Sequence, residues 1–198
     1  VAYDASNDHY IDPAIGILRN IAGAKTQAEL DRSEADVTPV IIATLTQFEP
    51  PVLTEFNKQL LQDIHREIFN TIYDWAGEFR TIDIGKETAY FAHADYIDQS
   101  LEGFLRNLDI DIVEFSRRKK YAVEIITKMY SELNAIHTFR EGNGRAIRSF
   151  VRLFAINHGW DIEWHRMNPD ENIAACVEAM SADEILMRLM FEKLLVRY

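Results

Sequence analysis

Apolar residues recur along this chain at spacings of three and four, the period of a helix with one buried face. Leu60, Leu61, Ile64, Ile68 and Ile72 form one such stripe, and Ala122, Ile126, Met129, Leu133 and Ile136 form a second. A third stripe, Ile147, Phe150, Val151 and Phe154, starts after Gly144 and stops at His158-Gly159, where glycine offers the left-handed exit common at helix ends. The fourth runs from about Pro169 to the C-terminus with a break near Ser181. Pro50-Pro51 interrupts the chain ahead of the first stripe, and Thr54 is placed to cap the helix that follows.

One segment departs from this period. Between Thr81 and Phe91, Ile82 and Ile84 alternate with polar residues, Gly85-Lys86-Glu87-Thr88 can turn the chain, and Tyr90-Phe91 favour strand. The pattern predicts an all-α domain carrying one short β-hairpin over 81–91. A chain of 198 residues, 47% of them hydrophobic, can bury one sizeable core. With no internal repeat or low-complexity linker, residues 1–198 read as one domain.

Charge and composition narrow the partners. A net charge of -11 disfavours tracking a phosphate backbone, which needs a basic surface to displace counterions, so no nucleic-acid partner is expected. No run approaches the roughly 18 apolar residues of a membrane span, and residues 1–10 lack a signal peptide's basic and apolar regions. A soluble protein is expected, with no membrane partner. The single cysteine, Cys176, lies in a helical stripe and reads as a small buried hydrophobe.

The candidate chemistry is concentrated between His137 and Arg148. There a titratable imidazole, a carboxylate, two glycines and two arginines occupy a loop that runs straight into a helix. Left alone, this helix start is poorly built. Gly142 and Gly144 each cost about 1 kcal/mol against alanine within a helix, and Arg145 and Arg148 add positive charge where the dipole is already positive. A bound polyphosphate repairs these faults together. Glycines let backbone N–H groups close on phosphate oxygens, the dipole favours the anion, and Arg145 and Arg148 at i, i+3 share a face to clamp it. Glu141 beside the cradle offers a hard oxygen ligand for Mg²⁺, which binds through one or two carboxylates plus substrate phosphates. The ligand expected is Mg-nucleotide. His137 can take a hydroxyl proton near neutral pH and is the candidate general base.

The run His137-Thr138-Phe139-Arg140-Glu141-Gly142-Asn143-Gly144-Arg145-Ala146-Ile147-Arg148 resembles the Fic signature, His-x-Phe-x-(Asp/Glu)-Gly-Asn-Gly-Arg-x-x-Arg, at every specified position. The segment Ile68 to Arg80 followed by the hairpin looks like the family's pre-flap helix and flap, and Tyr10 to Asn20 resembles the lead-in of bacterial members. The resemblance implies a protein adenylyltransferase that moves AMP from Mg-ATP to a Ser, Thr or Tyr hydroxyl of a target protein. It implies that His137 deprotonates the hydroxyl, Glu141 holds Mg²⁺, and Gly142, Asn143 and Gly144 form the anion nest. Arg145 and Arg148 would grip the outer phosphates, and Phe139 would pin the loop to the core. The hairpin would dock the target through its exposed strand edge.

Alternatives follow from the same resemblance. A Fic-fold transferase could use another nucleotide, phosphocholine or a phosphoryl donor, although Doc-type kinases would imply a bulkier, lysine-containing nest. A non-catalytic binding module is the reading from a different class, and an intact His137 argues against it. Trp75, Trp160 and Trp164 could line an adenine pocket but read better as packing, and Arg152 reads as a solvated charge. His9, His65, His93, His158 and His165 carry no zinc spacing and read as surface or packing residues. Many Fic proteins are restrained by a helix bearing (Ser/Thr)-x-x-x-Glu-(Gly/Asn), whose glutamate pairs with the second motif arginine. No Ser or Thr here has glutamate four positions on. That resembles the subgroup held by a small antitoxin supplying the glutamate in trans. The expectation is a toxin of the bacterial cytoplasm, or an effector secreted into a host cell.

Overall fold

The structure is a computed structural model that describes residues 8–47, 53, 55–86 and 89–198. Eight helices within these residues are named in chain order. They are α1 (Gln27–Gln47), α2 (Lys58–Phe69), α3 (Ile97–Asn107), α4 (Ile112–Arg117), α5 (Lys119–Ile136), α6 (Asn143–Asn157), α7 (Pro169–Ala179) and α8 (Ile185–Leu194). The centre of the fold is α5 against α6, with α2 packed on α6 and α8 on α5. The stripes explain why. Ala122, Ile126, Met129 and Leu133 of α5 and Ile147, Phe150, Val151 and Phe154 of α6 are all buried in one apolar cluster.

Helix α2 starts at Asn57, whose side chain accepts a hydrogen bond from the Leu60 amide at 3.0 Å. Thr54, expected in that role, and Pro50-Pro51 lie outside the described residues. The helix ends at Phe69, so Ile72 joins the core from the turn beyond it. At the far end of α6, His158 donates from Nδ1 to the Phe154 carbonyl at 2.7 Å, and Gly159 turns the chain at φ +86°. The expected break near Ser181 separates α7 from α8.

The hairpin forms, but its strands are shorter than the alternation suggested. Strands β1 (Gly85–Lys86) and β2 (Ala89–Tyr90) pair antiparallel, Gly85 opposite Tyr90. Ile82 and Ile84 stay outside β1, and the Ile82 carbonyl turns instead to Arg80. A second antiparallel pair, β3 (Trp160–Ile162) with β4 (Leu195–Arg197), was not prefigured by the helical stripe running to the C-terminus. It brings Trp160 into the core, where the indole N–H donates to the Phe115 carbonyl at 2.7 Å and the Arg197 guanidinium covers the ring. Trp75 is likewise buried, stacked on Tyr73, and Trp164 packs beside Tyr130 and Phe191. Packing therefore accounts for all three tryptophans. Among the described residues no helix is long and apolar enough to cross a membrane.

Candidate active site

Helix α5 delivers His137 as its C-cap in the left-handed region, φ 52° and ψ 64°, a conformation that is uncommon for a residue other than glycine. The turn aims the ring back along the helix, so that Nδ1–H donates to the Asn134 carbonyl at 3.2 Å. That bond fixes the tautomer and leaves Nε2 as the basic nitrogen. Phe91, at the return of the hairpin, lies flat on the imidazole with ring centroids 3.7 Å apart. Burial pushes the His137 pKa down to about 4; the Asn134 carbonyl opposes the shift, and the Arg80 charge adds to it. His137 is therefore a neutral, proton-accepting imidazole at pH 7.

The loop from 138 to 142 is closed by its own side chains. Asn143 Oδ1 accepts from the Phe139 amide at 2.8 Å, while its Nδ2 donates to the Phe139 carbonyl at 2.6 Å. The Asn143 side chain thus braces the loop, and its contribution to an anion nest is left to its backbone. Phe139 is fully buried and stacks on His65 at 3.8 Å. Gly142 sits at φ +78°, and a Cβ there would come within 2.4 Å of the Phe69 ring, so only glycine fits. The Gly142 carbonyl accepts from the amides of Arg145 and Ala146. Among the described residues the amides of Asn143 and Gly144 have no acceptor, which leaves two donors at a positive helix end.

The two motif arginines differ. Arg145 is engaged by Glu34 of α1 at 2.6 Å, reaches Glu141 at 3.3 Å, and lies over the Phe69 ring. Arg148 folds back over Gly144, whose added Cβ would lie 3.1 Å from Nη1, and its guanidinium also neighbours Tyr130. Among the described residues no carboxylate pairs with Arg148. Arg152 is paired with Asp161 of β3 at 2.6 Å, which corrects its reading as a solvated charge.

Glu141 presents a partly exposed carboxylate. Its Oε1 accepts from the Gly142 amide at 2.9 Å and from Arg145, and Oε2 has no protein partner among the described residues. Those residues contain no cluster of three or more His, Cys, Asp or Glu side chains arranged for a metal. One available carboxylate oxygen suits Mg²⁺, which completes its shell with phosphate oxygens and water.

Four residues outside the site expected from the sequence hold this arrangement. His65, fully buried, accepts from the Gly77 amide at Nδ1 (2.8 Å) and donates from Nε2 to the Glu141 carbonyl (3.0 Å). Its position four residues from both Leu61 and Phe69, on the apolar face of α2, was the available signal. Arg80, 1% exposed, reaches the carbonyls of His137 and Ile136. Glu34 neutralises Arg145, and Asp8 pairs with Arg140 at 2.7 Å. These last two contacts span more than a hundred residues of sequence, and no local pattern announces them.

The Fic/DOC family model matches residues 55–155, about half of the chain, and that stretch contains the whole loop just described. The chain belongs to the Fic/DOC family. Across 99% of its length it is 35% identical to protein adenylyltransferase VbhT of Bartonella schoenbuchensis, spanning 41% of that protein. It is 27% identical to the probable protein adenylyltransferase Fic of Escherichia coli K12, covering 96% of this chain and 94% of that one. The Fic fold is shared with the BepC effector of Bartonella tribocorum, solved with bound AMPPNP, at a TM-score of 0.83 and 22% identity. That match covers 96% of this chain and 97% of the other.

Proposed function

We propose that this Fic protein is a protein adenylyltransferase that moves AMP from Mg-ATP to a hydroxyl side chain of a target protein. The observation that carries the reading is the pairing of a neutral His137, its Nε2 free to accept a proton, with two acceptor-free amides at the start of α6 in the same braced loop. The names of VbhT and the Escherichia coli relative support it, as does the ATP analogue held by BepC. In the transfer, the target hydroxyl oxygen attacks the α-phosphorus and its proton passes to Nε2 of His137. The bond from the α-phosphorus to the bridging oxygen breaks, and pyrophosphate leaves with that electron pair. The amides of Asn143 and Gly144 receive phosphate oxygens, and Arg148 supplies a cation not already spent on a carboxylate. Glu141 would hold Mg²⁺, which when bound neutralises phosphate charge. Arg145, already balanced by Glu34, contributes through the shape of the loop more than through its charge.

The whole of residues 1–198 would form the single Fic domain. The target is a protein whose extended segment adds to the exposed edge of the β1–β2 hairpin, bringing its hydroxyl to His137. With no carboxylate on Arg148 among the described residues, restraint would come from a small antitoxin supplying a glutamate in trans. The protein would act as a toxin in the bacterial cytoplasm, or as an effector in a host cell. Incubation with α- and γ-labelled ATP, Mg²⁺ and a bacterial lysate tests the reading. Label should move to protein from the α-position only; label from the γ-position alone would make the protein a kinase, and none from either would favour a binding module.

A further inference from the structure

Among the described residues Arg80 is the largest fully buried side chain, and its hydrogen bonds go to carbonyls rather than to a carboxylate, Asp83 acting on it only through its charge. A buried guanidinium is tolerated only where its donors are satisfied. Here four carbonyls engage four of its five N–H donors. Nε donates to His137 at 2.8 Å, Nη1 to Ile82 at 2.7 Å, and Nη2 to both Ala92 and Ile136. The four fall into two pairs. Ile136 and His137 end α5, where unpaired carbonyls and the negative end of the dipole favour a cation. Ile82 and Ala92 are the points at which the chain leaves for the hairpin and returns from it.

Backbone bonds reinforce the joint, since the Arg80 amide donates to Thr138 and the Ala92 amide to Ala135, both at 3.0 Å. Phe91, whose ring covers His137, directly precedes Ala92. A methionine could fill the same space, but it could not hold four carbonyls at once. We propose that Arg80 is a positioning residue for transfer, locking both ends of the hairpin to the C-terminus of α5 so that the docked hydroxyl, the Phe91 ring and His137 keep one register.

The proposal rests on the adenylyltransferase reading, so two of its measurements do not involve the reaction. The first is the titration and tautomer of His137 by ¹⁵N-histidine NMR, and the second is hydrogen exchange of the amides at 82–92. The imidazole stacks on the Phe91 ring and is hydrogen-bonded to the Asn134 carbonyl, and Arg80 is the cation that disfavours its protonated form. In Arg80→Gln, removal of that charge should move the His137 titration to higher pH, and the hairpin amides should exchange faster. ATP affinity, set at α6, should stay near wild type. Transfer of AMP from α-labelled ATP to lysate protein should fall about a hundredfold, the cost of a displacement on the order of 1 Å at the reacting groups.

Arg80→Lys keeps the charge but cannot reach four carbonyls, so it should leave the His137 titration near wild type while loosening the hairpin and slowing transfer. A folded Arg80→Gln with wild-type titration and exchange would overturn the proposal. If that variant does not fold, Arg80→Lys decides alone, and wild-type exchange and transfer in it would also overturn the proposal. Failure of both variants to fold or bind ATP would make Arg80 a stability residue only. A wild-type chain that transfers no AMP, yet shows the NMR and exchange differences, would refute the adenylyltransferase reading while the Arg80 lock stood.

Discussion

Glu34 of α1 holds the Arg145 guanidinium at 2.6 Å and accepts the Tyr73 hydroxyl on its other oxygen, so the first arginine of the motif is balanced within the protein, whereas Arg148 has no carboxylate among the described residues. The two should fail differently. Glu34→Gln should destabilise the fold by about 1.5 to 3 kcal/mol, the worth of a charge-assisted hydrogen bond, with little change in ATP affinity. Arg148→Ala should leave stability nearly intact and weaken ATP binding by about ten- to a hundredfold, the equivalent of that same energy. Urea denaturation and isothermal titration with ATP separate the two; equal loss of affinity in both variants would return Arg145 to the phosphates.

His137→Ala should abolish transfer while ATP still binds, because the imidazole acts on the incoming hydroxyl. In the wild type, with the imidazole pKa lowered to about 4, the base is available throughout the neutral range. The transfer rate should decline only as pH falls towards about 4. A rate that declined already at pH 6.5 would mean that the imidazole is solvated when it reacts.

His65 makes stability depend on acid. Its pKa is lowered to about 4 by burial, with the Glu141 carbonyl opposing and Arg145 and Arg66 adding to the shift. The unfolded chain, titrating near 6.5, binds the proton first as pH falls, so stability is full above 6.5 and declines from there to about 4. The share due to His65 is about 3 kcal/mol. His65→Gln can accept from Gly77 and donate to Glu141 without titrating. Its unfolding free energy should therefore change less between pH 7 and pH 4.5 than that of the wild type, as urea titrations at both pH values would reveal.

Gly142→Ala and Gly144→Ala probe different requirements. At Gly142 the left-handed backbone costs about 1 to 2 kcal/mol and the contact with Phe69 about 1 to 3 more, so the melting temperature should drop sharply. At Gly144 no left-handed backbone is involved and only the mobile end of Arg148 is crowded. That variant should keep its melting temperature and lose ATP affinity. Calorimetric melts with and without ATP distinguish them.

Much of this was legible because it is local. The stripes of α5 and α6 are periodic and fully buried, and the motif between them contains its own brace, Asn143 to Phe139. Helix α1 was not legible. Pro39 lies inside it, many of its residues are charged, and among its described side chains only Leu30 and Thr38 are well buried. Strands β3 and β4 were hidden for another reason, since three-residue strands paired across more than thirty positions leave no period. Arg80 and Glu34 look like ordinary surface charges in sequence; only the carbonyls and the guanidinium brought to them by the fold reveal otherwise.

The Asp8 and Glu34 contacts bear on how this protein can be cut. Both carboxylates lie upstream of residues 55–155, while the arginines they neutralise, Arg140 and Arg145, lie inside that stretch. A fragment trimmed to it would retain every letter of the signature but lose Asp8 from Arg140 and the closer of the two carboxylates on Arg145, Glu34. A piece of this chain that keeps both carboxylates must therefore begin no later than Asp8, well before the recognisable sequence does.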